Sequence, residues 1–181
     1  MKLLLASASP RRKELLSAFC EFEIVPSHFE EAETGSAAEV VLMNARGKAQ
    51  EVLARFPDCR VLGADTVVAL DQMILGKPKD REDAKRMLRL LSGRVHSVFT
   101  GVCIADGNGS EERVIETKVL FKTLSEKTIE DYVLSGTPLD KAGAYGIQDG
   151  IVVASIEGSY SNVMGLPMEA VEEMLNFKER V

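Results

Sequence analysis

Four polar segments of this 181-residue chain contain the side chains that could do chemistry. The first is Ser7–Arg12, in which a loop of small residues meets a helix start at Pro10 and two arginines follow. Free backbone N–H groups and the positive end of a helix dipole both favour an anion at such a place. A solvated basic helix start remains the alternative. The segment predicts a phosphate site in which Ser7, Arg11 and Arg12 take part.

The second segment is Gly63–Val68, where Asp65 interrupts an apolar run from Val61 to Leu70. A carboxylate among apolar neighbours is costly to bury unless it is paired, hydrogen-bonded or bound to a metal ion. A structural hydrogen bond at a strand end is the simpler alternative. We expect Asp65 to be a metal ligand or a general base.

The other two segments are loops rich in glycine. Gly76–Pro78 holds Lys77 between a flexible and a rigid residue, which suits either a phosphate contact or a simple turn. Asp140–Gln148 and the later Gly158–Asn162 combine small residues with several hydrogen-bonding side chains. Loops of this length and composition are more often functional than not.

Several other classes of site lack their sequence signals. There is no G-x-x-x-x-G-K-[ST] loop, no G-x-S-x-G elbow and no G-x-G-x-x-G after the first strand. His28 and His96 have no metal-ligand spacing, and we expect surface or structural roles for both. Cys20, Cys59 and Cys103 are odd in number and widely spaced, so we interpret them as small buried apolar residues rather than a disulfide framework.

Composition limits the partners. Hydrophobic residues make up 45% of the chain, and its formal charge is −6, which argues against a general nucleic-acid binder but not against one small polyanion. The first apolar run ends at Ala6, short of the roughly 7–15 residues of a secretion signal. No run approaches the roughly 18 apolar residues of a membrane span. We therefore expect a cytoplasmic protein with no membrane partner.

The elements that must position these segments follow from periodicity and capping signals. Leu3–Ala6 predicts a buried strand, Ser9 the N-cap of the next helix, and Phe22–Val25 a second strand, which together make a βαβ unit. Further strands are predicted at Val61–Leu70, Val95–Ala105, Arg113–Leu124 and Ile151–Ile156, and further helices after Asp80, at Ser125–Leu134 and at Pro167–Phe177. The alternation favours one mixed α/β domain over residues 1–181.

The strongest helical pattern starts at the capping box Ser36–Glu39 and stops at Pro57. Its apolar stripe consists of Val40, Val41, Ala45, Ala49, Val52 and Leu53. Arg46, Lys48 and Glu51 are predicted to lie off that stripe, on the polar side of the helix.

Six segments, taken together and in this order, resemble the Maf family of nucleoside triphosphate pyrophosphatases. The resemblance implies an α/β fold like that of inosine triphosphate pyrophosphatases: a mixed, twisted sheet with flanking helices, and two lobes around a cleft. It also implies a homodimer. The matching segments are Ser7–Arg12, Gly63–Val68, Gly76–Pro78, His96–Gly101, Asp140–Gln148 and Ser159–Pro167.

Within that family, Arg11, Thr66 and Gln148 resemble the branch that hydrolyses dTTP and UTP, for which modified pyrimidine nucleotides are further candidates. Uracil and thymine share an acceptor–donor–acceptor edge that an amide such as that of Gln148 can match, whereas cytosine has an amino donor in place of O4. CTP is therefore expected to be a poor substrate. Asp149 and Met164 depart from the family pattern, and Asp149 adds a charge beside a base-reading residue.

The implied reaction is hydrolysis between the α- and β-phosphates, which gives a nucleoside monophosphate and pyrophosphate. Asp65 would act as general base or share that role with a divalent cation, Mg²⁺ or Mn²⁺, held by Asp65 and Glu31; Glu30 is the rival for the second carboxylate. Arg12, Lys48 and Lys77 would neutralise the triphosphate. The alternatives left open are a regulator of cell division that binds nucleotide without hydrolysis, and a purine-directed pyrophosphatase of the same fold.

Overall fold

A seven-stranded mixed sheet forms the centre of the computed structural model, which describes residues 1–177. Its strands are β1 (Leu3–Leu5), β2 (Glu23–Ile24), β3 (Arg60–Leu70), β4 (Met73–Leu75), β5 (Val95–Asp106), β6 (Gly109–Phe121) and β7 (Val153–Glu157). The helices are α1 (Pro10–Ser17), α2 (Ala37–Arg55), α3 (Arg81–Leu91), α4 (Glu126–Leu134), α5 (Tyr160–Met164) and α6 (Met168–Phe177).

The strand order is β2-β1-β3-β5-β6-β7, and β4 pairs with β3 outside that path. β1 is parallel to both β2 and β3, which confirms the βαβ unit, while β5, β6 and β7 are antiparallel to their neighbours. The predicted mixed α/β class is confirmed.

One edge of β3 carries two different partners. β1 pairs with it through Leu62, and β4 pairs with it from Val68 onward. On the opposite edge, β5 pairs continuously from Val61 to Ala69. Within the described part of the chain, residues 63–67 therefore have no strand partner on the first edge. This gap places the Asp65 segment at an opening in the sheet.

The helix α2 covers one face of the sheet. Its capping box forms as predicted, with the Ser36 hydroxyl accepting from the Glu39 backbone and the Glu39 carboxylate accepting from the Ser36 backbone. The helix lies so close to the sheet that a Cβ built on Gly63 would stand 2.3 Å from the Ala45 carbonyl oxygen. A Cβ on Gly101 would meet the Val41 carbonyl at the same distance. Glycine at these two strand positions is what lets the helix backbone touch the sheet.

The opposite face of the sheet is covered in two parts. α1 and α6 bury Leu16, Val171 and Met174 against the end of the sheet that holds β1, while α3 and α4 cover the other end. The helix after Asp80 buries Ala84, Met87, Leu88 and Leu91 as an amphipathic helix should. The two helical groups leave a cleft between them, above the gap in β3.

A few local predictions differ from the structure. The turn of the hairpin is shorter than Asp106–Ser110, because β5 and β6 pair as far as Asp106 and Gly109. The short strand β4 and the five-residue helix α5 have too few residues to give a periodic signal. Among residues 1–177, no helix is both long and apolar enough to cross a membrane.

Candidate active site

A cavity of about 810 Å³ opens at the gap in β3. It is bounded by the α1 start, the loop before α2, α2 itself, the β4–α3 loop and the segment between α4 and β7. Seven basic and four acidic side chains line it, so the cavity is positive although the chain is acidic. The basic residues are Arg11, Arg12, Lys48, Lys77, Lys79, Arg86 and Lys141, and the acidic ones are Glu31, Glu33, Asp65 and Asp83.

Asp65 lies at the wall of this cavity with only 8% of its surface exposed. Its Oδ1 accepts a hydrogen bond from Lys48 Nζ at 2.8 Å, and its Oδ2 accepts one from Asn44 Nδ2 at 3.0 Å. Both partners come from α2, one turn apart. These two bonds fix the orientation of the carboxylate, as a base or ligand role requires.

Lys48 is itself 8% exposed, so the prediction that it lies on the polar side of α2 is wrong. The i, i+4 relation places Asn44 and Lys48 beside Val41 and Val52, along the border of the apolar stripe. Burial of the ammonium is possible because two carboxylates face it. Besides Asp65, Glu31 Oε1 lies 2.6 Å from Lys48 Nζ.

Glu31 is brought to Lys48 by the loop that precedes α2. Asn44 Oδ1 accepts from the Ala32 backbone N–H at 2.7 Å, and Asn44 Nδ2 donates to the Ala32 carbonyl at 3.1 Å. This pair of bonds fixes the loop on the helix next to Asp65. Glu31 lines the cavity and Glu30 is not among its lining residues, so the geometry favours Glu31 over its rival.

Arg12 lies on the other side of β3, where each of its three guanidinium nitrogens donates one hydrogen bond. Nε donates to the Gly165 carbonyl at 2.7 Å, Nη2 to Thr66 Oγ1 at 3.1 Å and Nη1 to Ser7 Oγ at 3.2 Å. Burial lowers the pKa of Arg12 from its ordinary value, and the nearby Asp65 charge opposes that effect. Ser7 is buried behind Arg12 and is not one of the cavity-lining residues. The structure thus gives Ser7 a contact with Arg12 rather than with the cavity.

Thr66 lines the cavity, and its hydroxyl also lies 2.9 Å from Thr100 Oγ1. Ser9 occupies the predicted N-cap position of α1, but its side chain makes no capping bond. Its backbone N–H instead donates to Ser7 Oγ at 3.2 Å.

Arg11 and Gln148 approach the cavity from the far wall. Arg11 Nη1 donates to Asp140 Oδ2 at 3.1 Å, and Lys141 Nζ donates to Asp140 Oδ1 at 2.9 Å. Burial would raise the pKa of Asp140, but the bond from Lys141 and the two positive charges lower it below its ordinary value. Gln148 is exposed at the cavity wall. Lys77 is exposed and lines the cavity beside the Gly76 backbone.

The structure thus places eight of the sequence-predicted site residues around one cavity, with Ser7 one contact behind it. Sequence reasoning missed Asn44, whose signal is an amide four residues before Lys48 on a largely apolar stripe. It also missed Lys79 and Arg86, which look like ordinary surface residues until α3 is packed. The eight residues are Arg11, Arg12, Glu31, Lys48, Asp65, Thr66, Lys77 and Gln148.

Known proteins are similar to this chain in sequence. The sequence pattern of the family described as Maf-like protein matches residues 2–177. A dTTP/UTP pyrophosphatase of Geobacillus sp. (strain WCH70) is 50% identical over 172 residues, with 92% of each chain covered. Proteins of the same name from Thermococcus gammatolerans and Pyrococcus abyssi are 49% and 46% identical, over 93% and 98% of this chain. The solved Staphylococcus aureus Ham1 protein aligns with a TM-score of 0.45 at 18% identity, over 67% of this chain and 71% of that one.

Proposed function

We propose, since this chain belongs to the Maf-like protein family, that it is a hydrolase that splits dTTP and UTP into the monophosphate and pyrophosphate. The relatives named dTTP/UTP pyrophosphatase match nearly the whole chain at 46–50% identity. The observation that carries the proposal is the buried Asp65 carboxylate, held by Lys48 and Asn44 in a positive cavity.

Asp65 is proposed as the general base. One of its oxygens accepts from an amide and the other from an ammonium, so its carboxylate is oriented and can take the proton of an attacking water. The water would attack the α-phosphorus, and the oxygen that bridges to the β-phosphorus would leave with pyrophosphate.

Lys48, Lys77 and Arg12 are proposed to balance the charge of the triphosphate and of the leaving pyrophosphate. Lys48 is preorganised by Asp65 and Glu31, whereas Lys77 is exposed on a glycine-flanked loop and can move toward a phosphate. Fixed positive charge at the place where negative charge develops is usually the largest contribution to catalysis.

The donor set fits a hard divalent cation. Glu31 and Asp65 converge on one point, now filled by Lys48 Nζ, and no group of three or more His, Cys, Asp or Glu residues converges anywhere in residues 1–177. Proteins usually hold Mg²⁺ with one or two carboxylates and leave the remaining coordination positions to water and phosphate oxygens. We propose that Glu31 and Asp65 hold Mg²⁺ or Mn²⁺, which would supply charge neutralisation to the phosphates.

Base recognition is assigned to Arg11, Thr66 and Gln148, with Ser7 acting on substrate through Arg12. The amide of Gln148 can donate to one carbonyl and accept from the ring N–H of uracil or thymine. The same amide cannot satisfy the amino group of cytosine without turning over, so the pocket selects against CTP.

A nucleotide panel tests the activity. With Mg²⁺ present, we expect the protein to release pyrophosphate fastest from dTTP and UTP, and we expect CTP to be slower by about 100-fold. Pyrophosphate is measured for the eight common nucleotides at matched free Mg²⁺. Binding of dTTP without release would indicate a nucleotide-binding regulator, and faster release from purine nucleotides would contradict the base assignment.

Substituting Asp65 tests the mechanism. Asp65→Asn keeps the side-chain shape but cannot accept the proton, so kcat should fall by at least about 100-fold with the far-ultraviolet circular dichroism unchanged. Asp131→Asn is the matched control, because Asp131 is exposed and pairs with Lys127 on the surface of α4. An Asp65→Asn protein that retains the wild-type kcat would remove Asp65 from the mechanism.

Three further points stay predictions: a single functional domain over residues 1–181, a homodimer, and a cytoplasmic location. Sedimentation of the purified protein measures its assembly state.

A further inference from the structure

Gln148 sits in a single short turn. The turn is the 3-10 segment Ile147–Asp149, which is flanked by Gly146 and by Gly150, whose φ is 68°. The Asp149 N–H donates to the Gly146 carbonyl at 3.2 Å. Because the Gln148 side chain is exposed, the direction of its amide depends on how firmly the backbone of this turn is held.

Tyr132 holds the turn at both of its ends. This side chain comes from α4 and is 3% exposed within the apolar core between α3 and α4. Its hydroxyl accepts from the Gly146 N–H at 3.0 Å and donates to Asp149 Oδ2 at 2.5 Å. Burial and the bond to Asp149 raise the pKa of the Tyr132 hydroxyl above its ordinary value, so it stays protonated and able to donate.

Asp149 lies on the back of the turn. It is not one of the residues that line the cavity, whereas the neighbouring Gln148 is. Its carboxylate is packed so closely that a Cβ built on Gly146 would be 2.8 Å from Asp149 Oδ2 and 3.1 Å from Gln148 Cδ. The negative charge that Asp149 adds beside a base-reading residue is thus directed at Tyr132 and not at the base pocket.

We infer that Tyr132 and Asp149 form a clamp that positions Gln148 for pyrimidine recognition, and that both are specificity-determining positioning residues. This inference rests on the proposed function, because it concerns the same pocket. Neither side chain touches the nucleotide. They act by fixing the turn to a helix that is part of the core, which is how a recognition group on a loop acquires a definite direction.

The clamp should act on discrimination more than on turnover. A loosened turn lets the Gln148 amide rotate, so that the favourable contacts to uracil weaken and the rejection of cytosine weakens with them. The groups around Asp65 belong to β3 and α2, on the other side of the cavity, and should keep their geometry.

The experiment is a double-mutant cycle on the ratio of kcat/KM for UTP to kcat/KM for CTP. Tyr132→Phe and Asp149→Ala should each lower that ratio about tenfold, mainly through a higher KM for UTP. The double variant should be no worse than the worse single one, because both changes break the same clamp. Asp149→Asn keeps an acceptor oxygen for Tyr132 and should stay within about twofold of wild type.

Two further measurements distinguish a failure of the clamp inference from a failure of the proposed function. The affinities for non-hydrolysable α,β-methylene UTP and CTP are measured for each variant, and exchange of the Gly146 amide proton is expected to accelerate in Tyr132→Phe. Asp131→Asn on α4 serves as the control that leaves all these values unchanged. Wild type that binds the UTP analogue tightly without hydrolysing UTP would overturn the proposed function. The clamp would then be tested by the ratio of the affinities for the UTP and CTP analogues, compared between wild type and the variants.

The inference is overturned if wild type does not discriminate between the two analogues. It is also overturned if Tyr132→Phe and Asp149→Ala keep the wild-type ratio, or if they lower kcat equally for every nucleotide in step with a loss of stability. Asp149→Ala removes a half-exposed side chain and leaves the core intact, so the cycle has at least one variant that should fold.

Discussion

Asp65 and Thr66 are neighbours in the chain, but their side chains lie on opposite faces of β3. Asp65 contacts Asn44 and Lys48 of α2, and Thr66 contacts Arg12 of α1. Because side chains alternate along a strand, two adjacent residues at the gap can serve two sets of partners. Asp65, the proposed general base, and Thr66, proposed to contact the pyrimidine, are thus separated by one peptide bond.

His96 is a buried residue whose role is structural, as its lack of metal-ligand spacing suggests. It is 3% exposed, its Nε2 lies 2.8 Å from Tyr145 Oη, and its ring packs edge-on against Phe121 and Tyr145. Nδ1 has no hydrogen-bond partner among the described residues. Burial lowers the pKa of His96 from 6.5 to about 4.

This pKa predicts a loss of stability in mild acid. His96 takes up a proton near pH 6.5 in the unfolded chain but only near pH 4 in the folded chain. The contribution of neutral His96 to the free energy of unfolding is therefore fully present above pH 6.5 and falls as the pH drops toward 4. From pH 7.5 to 5, wild type should lose about 2 kcal/mol of unfolding free energy more than His96→Gln does. Urea unfolding at both pH values measures this difference, and parallel losses in the two proteins would contradict it.

The site depends on the close contact of β3 with α2 at Gly63. β3 offers its open edge at residues 63–67, and α2 reaches Asp65 because its backbone touches Gly63 between Ala45 and Ala49. Lys48 lies within that same turn of the helix. A small displacement of α2 therefore changes the distance between the ammonium and the carboxylate directly.

Gly63→Ala should consequently damage stability and activity together. The added methyl would lie 2.3 Å from the Ala45 carbonyl and must push the helix away, at a cost of about 1–3 kcal/mol. A shift of this kind in a catalytic group can lower kcat about 100-fold. Gly107→Ala is the control, since its Cβ would meet Pro57 O at an ordinary 3.9 Å. Wild-type values for Gly63→Ala in urea unfolding and pyrophosphate release would show that the close approach is dispensable.

The capping box and the apolar stripe of α2 and the long strands β5 and β6 were predictable, because each is a local pattern of a long element. Lys48 was predicted on the solvated side, since periodicity separates apolar from polar residues but cannot identify a charge that two carboxylates will bury. Asn44 was missed for the same reason. The gap in β3 depends on where β1 ends and β4 begins, which is tertiary information.

At the scale of the whole molecule, the net charge of the chain is negative, whereas the lining of the cavity is positive. The chain carries −6, yet its cavity is lined by seven basic and four acidic side chains. A negative exterior repels a long polyanion, while a positive cavity attracts one small enough to enter. The same charge pattern that leaves free nucleotides as substrates should exclude nucleic acid.

A polyuridylate competition experiment tests this selectivity. At equal uracil concentration and constant free Mg²⁺, polyuridylate should leave UTP hydrolysis unchanged within about 20%, whereas inorganic pyrophosphate should inhibit it competitively by filling the positive cavity. A polymer that bound the outer surface through its phosphates would inhibit at low salt and lose that effect as salt rises. Inhibition by polyuridylate that weakens between 50 and about 200 mM salt would therefore show that the acidic exterior does not exclude nucleic acid.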